Sequence, residues 1–259
     1  MGGIWSAFVG FLELVLSTLT TWAGSLGIAI ILFTILTRLA LLPLTIKQLQ
    51  SSKKMQELQP LLAELRRKYG KDQQKLTQEM TKLYRENGAN PAGSCLPLLI
   101  QLPIFLGVWQ AVYALVGSGT GLSETFLGIQ LGLAAFQNTN PNPSIFTNFQ
   151  PGFQGVQYLV LPVLSVLFQF LTTVMAQPKI QDPQQKAMSQ AIMFMPLVFG
   201  YIGFTFNQGA VLYWVTGSVI AVIQQYFMTG FGSLTNYLSF LPERKGFMTP
   251  AAPAVAVSA

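Results

Sequence analysis

The sequence predicts an all-α integral membrane protein. Five transmembrane helices are expected, with an amphipathic interfacial helix at residues 1 to 21 and a cytoplasmic helical hairpin at residues 48 to 87. Three observations carry that prediction. Of 259 residues, 51% are apolar and only 9% charged, with a mean hydropathy of +0.46, whereas soluble domains carry about a quarter charged residues. Five apolar stretches, at residues 22 to 46, 92 to 116, 156 to 176, 191 to 206 and 210 to 228, read as bilayer crossings. The charge is also one-sided. Of fifteen Lys and Arg, ten fall between Lys47 and Arg85, two are Lys179 and Lys186, two are Arg244 and Lys245, and residues 117 to 155 hold none. Under the positive-inside rule these three basic groups are cytoplasmic and the 117 to 155 loop is outside. Five spans then place the amino terminus outside and the carboxy terminus in the cytoplasm.

Along the chain, Ile4, Trp5, Phe8, Phe11, Leu12, Val15, Leu16 and Leu19 form one stripe and Ser6, Gly10, Glu13, Ser17 and Thr20 another. This pattern fits a helix lying in the outer interface. A signal peptide is the competing reading, but no Lys or Arg follows Met1 and Glu13 interrupts the apolar part. The first span runs through residues 22 to 46, with Pro43 near its cytoplasmic end. The polar region beyond it has helical apolar spacing in two arms, Leu58, Leu61, Leu62, Leu65 and Tyr69, then Leu76, Met80, Leu83 and Tyr84. A turn at Gly70-Lys71-Asp72 pairs them as an antiparallel hairpin. Asn87-Gly88 ends the second arm, and Asn90-Pro91 opens the second span. The 117 to 155 loop is rich in Gly, Asn, Pro, Ser and Thr, with a short surface helix expected near residues 127 to 136. A polar link at residues 177 to 186 joins the third span to the fourth. Asn207-Gln208-Gly209 is short enough to demand a tight antiparallel pair from the last two spans. The Pro- and Ala-containing tail, residues 233 to 259, is expected to be partly disordered.

Composition excludes several chemistries. With no His and a single Cys95, neither a Ser-His-Asp triad nor a metal site is expected, and the chain is read as no enzyme, needing no cofactor. The basic stretch interleaves five acids with its ten cations, which suits solvated helices better than a nucleic-acid phosphate track.

Arg38 stands out inside the first span. No carboxylate occurs in any comparable stretch, Lys47 is roughly 13 Å of helix away, and a lone intramembrane Arg costs about 2.5 to 3.5 kcal/mol on insertion scales. A snorkelled or backbone-bonded Arg is one reading, and a cation facing a wet cavity is the other, favoured on cost. Thr34 lies one turn from Arg38. Ser94 and Gln101 on the second span, Ser165, Gln169, Thr172 and Thr173 on the third, and Tyr213, Thr216 and Gln224 on the fifth form further polar faces. Singly such residues bridge helices. Together with an unpaired Arg they outline a polar concavity that attracts carboxylates. Met175, Met188, Met193 and Met195 cluster near the cytoplasmic ends of the third and fourth spans, where ordinary packing explains them.

Three runs carry a resemblance to a known family: TILTRLALLPLT at residues 34 to 45, KYGKD at 68 to 72 with MTKLYRENGANPAGSCLPLLIQLPIFLGVW at 80 to 109, and FMPLVFGYIGFTFNQGAVLYW at 194 to 214. In type, order and separation they resemble the YidC/Oxa/Alb membrane protein insertases, over residues 20 to 232. Near residues 207 to 210 the chain has Asn-Gln-Gly-Ala where many members have Pro-Ala-Gly-Leu. The resemblance implies insertion and folding of nascent membrane proteins from the cytoplasm into the lipid bilayer of a bacterial plasma membrane. It also implies action alone or beside the Sec translocon, with the ribosome and signal recognition machinery as further expected partners. It implies a hydrophilic groove, open to cytoplasm and lipid, holding Arg38, Thr34, Gln101, Gln169, Thr172, Tyr213, Trp214 and Gln224, with the third and fifth spans as the exit for a substrate helix. Two rivals remain: a small anion channel or carrier built on the same Arg, for which no internal repeat speaks, and an assembly chaperone that holds helices without inserting them.

Overall fold

In the computed structural model, residues 2–88, 96–117, 125–136, 154–176, 183–231, 234 and 246 are described. The Asn90-Pro91 start of the second span, Ser94, and most of the 177 to 186 link and of the tail lie outside them. Helix α1 (Gly2–Ala23) leads through Gly24 and Ser25 into α2 (Leu26–Ala40). Gly24 has φ 71° and its N–H donates to the Thr20 carbonyl at 2.8 Å, a left-handed stop that glycine adopts without steric cost. The helix expected as the first span therefore starts at Leu26, four residues later than its hydropathy suggests.

Nor does that span run straight to residue 46. Helix α3 (Leu42–Glu57) leaves α2 at a bend of 56°. Pro43 has no N–H to give the Leu39 carbonyl and its ring crowds that group, so the ladder breaks at Leu41. Helices α4 (Gln59–Tyr69) and α5 (Gln73–Glu86) follow, and Leu58 and Leu62 are buried among Met55, Met80, Leu83 and Tyr84. Asp72 caps α5, its carboxylate accepting from the Lys75 N–H at 3.0 Å.

Helix α6 (Leu96–Gly117) is followed by a two-stranded hairpin, β1 (Thr125–Phe126) and β2 (Ile129–Gln130). This replaces the short helix expected near residues 127 to 136. Leu127 and Gly128 both have positive φ, 51° and 79°, the turn geometry that matches strand twist. Beyond it the chain turns at Leu131 and Gly132, with the Leu133 N–H donating to the Gln130 carbonyl at 3.3 Å, and then bonds to the α8–α9 connection. A 3₁₀ turn (Val156–Leu159) opens α7 (Val160–Ala176), and α8 (Pro183–Gly203) and α9 (Gln208–Thr229) complete the bundle. Helix α8 begins eight residues before the apolar stretch at 191, because Pro183 suits a first helical position and Gln, Lys, Ala and Met propagate a helix without being apolar.

Side-chain contacts fix the helix directions. Ile30, Phe33 and Arg38 of α2 meet Gly209, Tyr213 and Gly217 of α9 in the same order, so the two run parallel. Val112, Phe105 and Gln101 of α6 meet Gly209, Trp214 and Tyr213, so α6 runs antiparallel to them. Gln169 of α7 meets Ser218, while Gly203 and Gly200 of α8 meet Pro162 and Val166. Helices α2, α7 and α9 thus run one way and α6 and α8 the other.

The buried core joins Val9, Leu12 and Leu16 of α1 to Leu26, Ile30 and Phe33 of α2, Phe105, Val108 and Val112 of α6 and Leu212 and Tyr213 of α9. By length and apolar composition α1, α6, residues 156–176 and α9 can each cross a bilayer, and the bent α2–α3 pair makes a fifth; the apolar part of α8, Met193–Gly203, is shorter. The outer surface is apolar too, with Phe11, Leu36, Leu39, Leu99, Leu167, Phe194, Leu197 and Phe227 all more than half exposed. Such a surface is a liability in water and suits hydrocarbon.

Candidate functional site

The α2 stripe Ile30, Phe33, Thr34 faces α9 and is buried, and the next position on that stripe is Arg38. Helical periodicity therefore carries the cation onto the inward face. Its guanidinium lies over Gly217: a Cβ there would sit 2.7 Å from Nη2, 3.2 Å from Nε and 3.4 Å from Cζ. One turn back along α9, Tyr213 is within electrostatic reach of Arg38, and its hydroxyl accepts a 2.9 Å hydrogen bond from the Gln101 amide of α6. The Phe33 ring, 6.2 Å from that of Tyr213, backs the pair. Arg38, Tyr213 and Gln101 are thus brought together where α2, α6 and α9 meet, and no Asp or Glu occurs in residues 26–40, 96–117, 156–176 or 183–231.

The other expected residues divide. Thr34 is fully buried, and its hydroxyl donates to the Ile30 carbonyl at 2.6 Å; it underlies the cluster instead of lining it. Gln169 joins α7 to α9, its carbonyl accepting from the Ser218 hydroxyl at 3.4 Å, so it flanks the Gly217 position. Thr172 is tied to its own helix, donating toward the Phe168 and Gln169 carbonyls at 2.6 and 3.1 Å. Gln224 lies seven residues beyond Gly217 on the same face of α9, about 10 Å further along, with its carbonyl oxygen buried and unpartnered among the described residues. Trp214, next to Tyr213, points to the other side, packing edge-on against Phe105 at 4.7 Å and tilted against Phe199 at 4.8 Å. Successive helical residues diverge by about 100°, so a pair adjacent in sequence serves two environments.

Sequence reasoning missed Gly217, Ser218 and Asn207. The first two form a small-residue notch on α9 whose meaning depends on what faces it. Asn207 accepts from the Ala210 N–H at 2.9 Å as the cap of α9 and donates to the Trp109 carbonyl of α6 at 3.0 Å. Around it the segment after β2 is sewn to the start of α9 and the link before it: the Gln208 and Gly209 N–H groups donate to the Leu133 and Leu131 carbonyls at 2.8 and 2.9 Å, and Phe136 N–H to the Phe204 carbonyl at 3.1 Å. This end of the bundle is well filled. The cavity between Phe105, Ser165, Phe199, Ile202, Gly203, Val211 and Trp214 is only about 10 Å³, about the volume of a single probe sphere of water size. The polar cluster lies on the α2–α3 bend side of this aromatic packing.

Alternating apolar helices around one inward-facing cation define a helical integral membrane protein. The model of the 60Kd inner membrane protein family matches residues 18–233, and the chain belongs to that family, the YidC/Oxa/Alb group. It is 38% identical over 231 residues to "Membrane protein insertase YidC 2" of Listeria innocua, covering 86% of this chain and 71% of that one. It is 36% identical to "Membrane protein insertase YidC" of Fusobacterium nucleatum, covering 88% and 98%, and 32% identical to the chloroplastic "Inner membrane protein ALBINO3" of Arabidopsis thaliana, covering 89% and 54%. Among solved structures it is similar to an active YidC insertase with its first transmembrane domain resolved, with a TM-score of 0.63 and 29% identity over 86% of this chain. The match spans just under half of that structure's chain, 46%.

Proposed function

We propose that this protein inserts nascent membrane proteins into the lipid bilayer and assists their folding, through a hydrophilic groove whose fixed charge is Arg38. The observation that carries the reading is the Arg38–Tyr213–Gln101 cluster, a cation held inside an apolar bundle with no acidic residue on α2, α6, α7, α8 or α9. Intramembrane charge is expensive and persists where it meets a polar pathway. Acidic residues of a client's translocating tail pair transiently with Arg38 through charge-assisted hydrogen bonds. A polar groove reaching part-way through shortens the low-dielectric path, and the client's apolar helix then partitions into lipid, which supplies the driving free energy. The membrane potential favours an acidic tail moving outward by about 2.3 kcal/mol per charge per 100 mV. No covalent step is needed.

In this reading α2–α3, α6, α7, α8 and α9 are five spans, and their alternating directions support it. The amino terminus is outside, α1 lies in the outer interface, α4 and α5 form a cytoplasmic hairpin that receives clients, and the membrane is a bacterial plasma membrane. The Trp5 indole donates to Gln110 at 2.9 Å and Phe8 and Leu12 both lie over Gly107. The protein works alone or beside the Sec translocon, ribosome and signal recognition machinery.

The test reconstitutes the protein and its Arg38→Ala and Arg38→Lys variants into liposomes and follows protease protection of a single-span client with an acidic amino-terminal tail. Insertion by the native protein and by Arg38→Lys, with loss in Arg38→Ala, is expected. Equal insertion by all three removes the charge from the mechanism, and insertion by none favours a holding chaperone or an anion carrier.

A further inference from the structure

We propose that Gly217 is a positioning residue for Arg38: its missing side chain is the seat that fixes where the groove's positive charge is presented. The inference rests on the function proposed above for its consequences, and on geometry alone for the placement. Glycine inside a helix is conformationally unfavourable relative to alanine, yet Gly217 sits in mid-α9, twelve residues before its end. What occupies the space a methyl would fill is the Arg38 guanidinium, with three of its atoms between 2.7 and 3.4 Å of the Cβ position. Carbon contacts are comfortable only from about 3.5 Å, so a Cβ and the present guanidinium exclude one another.

Which of the two yields is decided by stiffness. Arg38 lies in the last turn of α2 on a flexible stem, whereas α9 is held by Tyr213, Val211 and Ser218, all buried. A methyl at residue 217 therefore rotates the guanidinium off α9, away from the Tyr213 hydroxyl, without moving either helix. Alanine also has the higher helix propensity, so the variant keeps its fold. The position selects for Arg specifically: a planar, branched head needs the notch, and a Lys ammonium, ending one straight stem, does not. Gly217 thereby sets how much of the cation is sheltered against α9 and how much is open to a client's carboxylate.

Two measurements on the full chain in proteoliposomes test this. Phenylglyoxal modification of Arg38, followed by peptide mass spectrometry and normalised to Arg85 in the same sample, should run about threefold faster in Gly217→Ala, because the head loses its enclosure. An unchanged or slower rate overturns the proposal, whether or not the protein inserts anything. The ratio of insertion of an acidic-tailed client to that of the same client with a neutral tail should fall about tenfold in Gly217→Ala, as misplacement by an ångström loosens a functional site. Adding Arg38→Lys to Gly217→Ala should restore the ratio to that of Arg38→Lys alone. Additive losses in the double variant would show that the two positions act separately and sink the seat. If the native protein inserts neither client, the functional reading fails, and the modification rates still decide the role of Gly217.

Discussion

Arg38 declares itself because an unpaired cation in an apolar run is costly wherever it points, and helical periodicity then turns it onto the stripe of Ile30 and Phe33. Its neighbours are less legible. Thr34 shares a face with Arg38 by spacing, but that face is packed tightly enough one turn earlier to bury the hydroxyl completely. Gly217 carries no sequence signal, since an absent side chain matters only against the head that replaces it. The Tyr213 hydroxyl is the acceptor for Gln101, and Tyr213→Phe leaves an N–H of that amide without its acceptor in a part-buried site. We expect a loss of about 1 to 2 kcal/mol, seen as a drop of a few degrees in Tm in detergent. Outside the membrane, burial raises the Tyr84 phenol above its ordinary value of 10.0, and the nearby Arg66 partly opposes this. The unfolded chain ionises first as pH rises through about 10, so α4–α5 packing loses stability from there upward and is unaffected below. Helicity followed between pH 9 and 11 should fall less in Tyr84→Phe than in the native protein.

The helices themselves were largely readable, because long apolar runs and capping residues are local signals. Their breaks were not. Hydropathy is blind to backbone geometry, so it merged residues 22 to 46 into one rod where Gly24 stops α1 and Pro43 bends α2 away from α3 by 56°. Pro43→Ala restores the missing donor. Spin labels at Ile28 and Gln50, both exposed, should then move apart by about 4 Å as the bend opens. Hydropathy likewise delimits the apolar part of α8 instead of its helix, and where a short surface helix is expected near residues 127 to 136, Leu127 and Gly128 make a hairpin turn. Asn207 shows how one residue joins elements. In Asn207→Ala both its bond to Ala210 and its bond to Trp109 are lost, at about 1 to 3 kcal/mol. Asn207→Asp keeps the cap acceptor and loses only the donor to α6. Thermal unfolding should rank native above Asp above Ala, and equal stability of the two variants would mean the cap contributes nothing.

For the whole molecule, the direction of each helix follows from which residues meet across helices, and the proposed topology adds the basic bias to those directions. In a Cys95→Ser background, single cysteines at Gln74 and Gly128 should be labelled by an impermeant maleimide from opposite sides of sealed vesicles. Labelling from the same side would overturn the five-span arrangement. Sequence by itself determined the membrane class, the apolar helices, the capped polar arms of α4 and α5 and the singular Arg, because hydropathy, turn chemistry and the cost of buried charge act on a residue and its near neighbours. Only the tertiary structure decided that Arg38, Gln101 and Tyr213 converge, that Trp214 turns away from its neighbour and that Gly217 seats the guanidinium. Those facts depend on the register of α2, α6 and α9, which is set by side chains more than a hundred residues apart packing into one another's gaps.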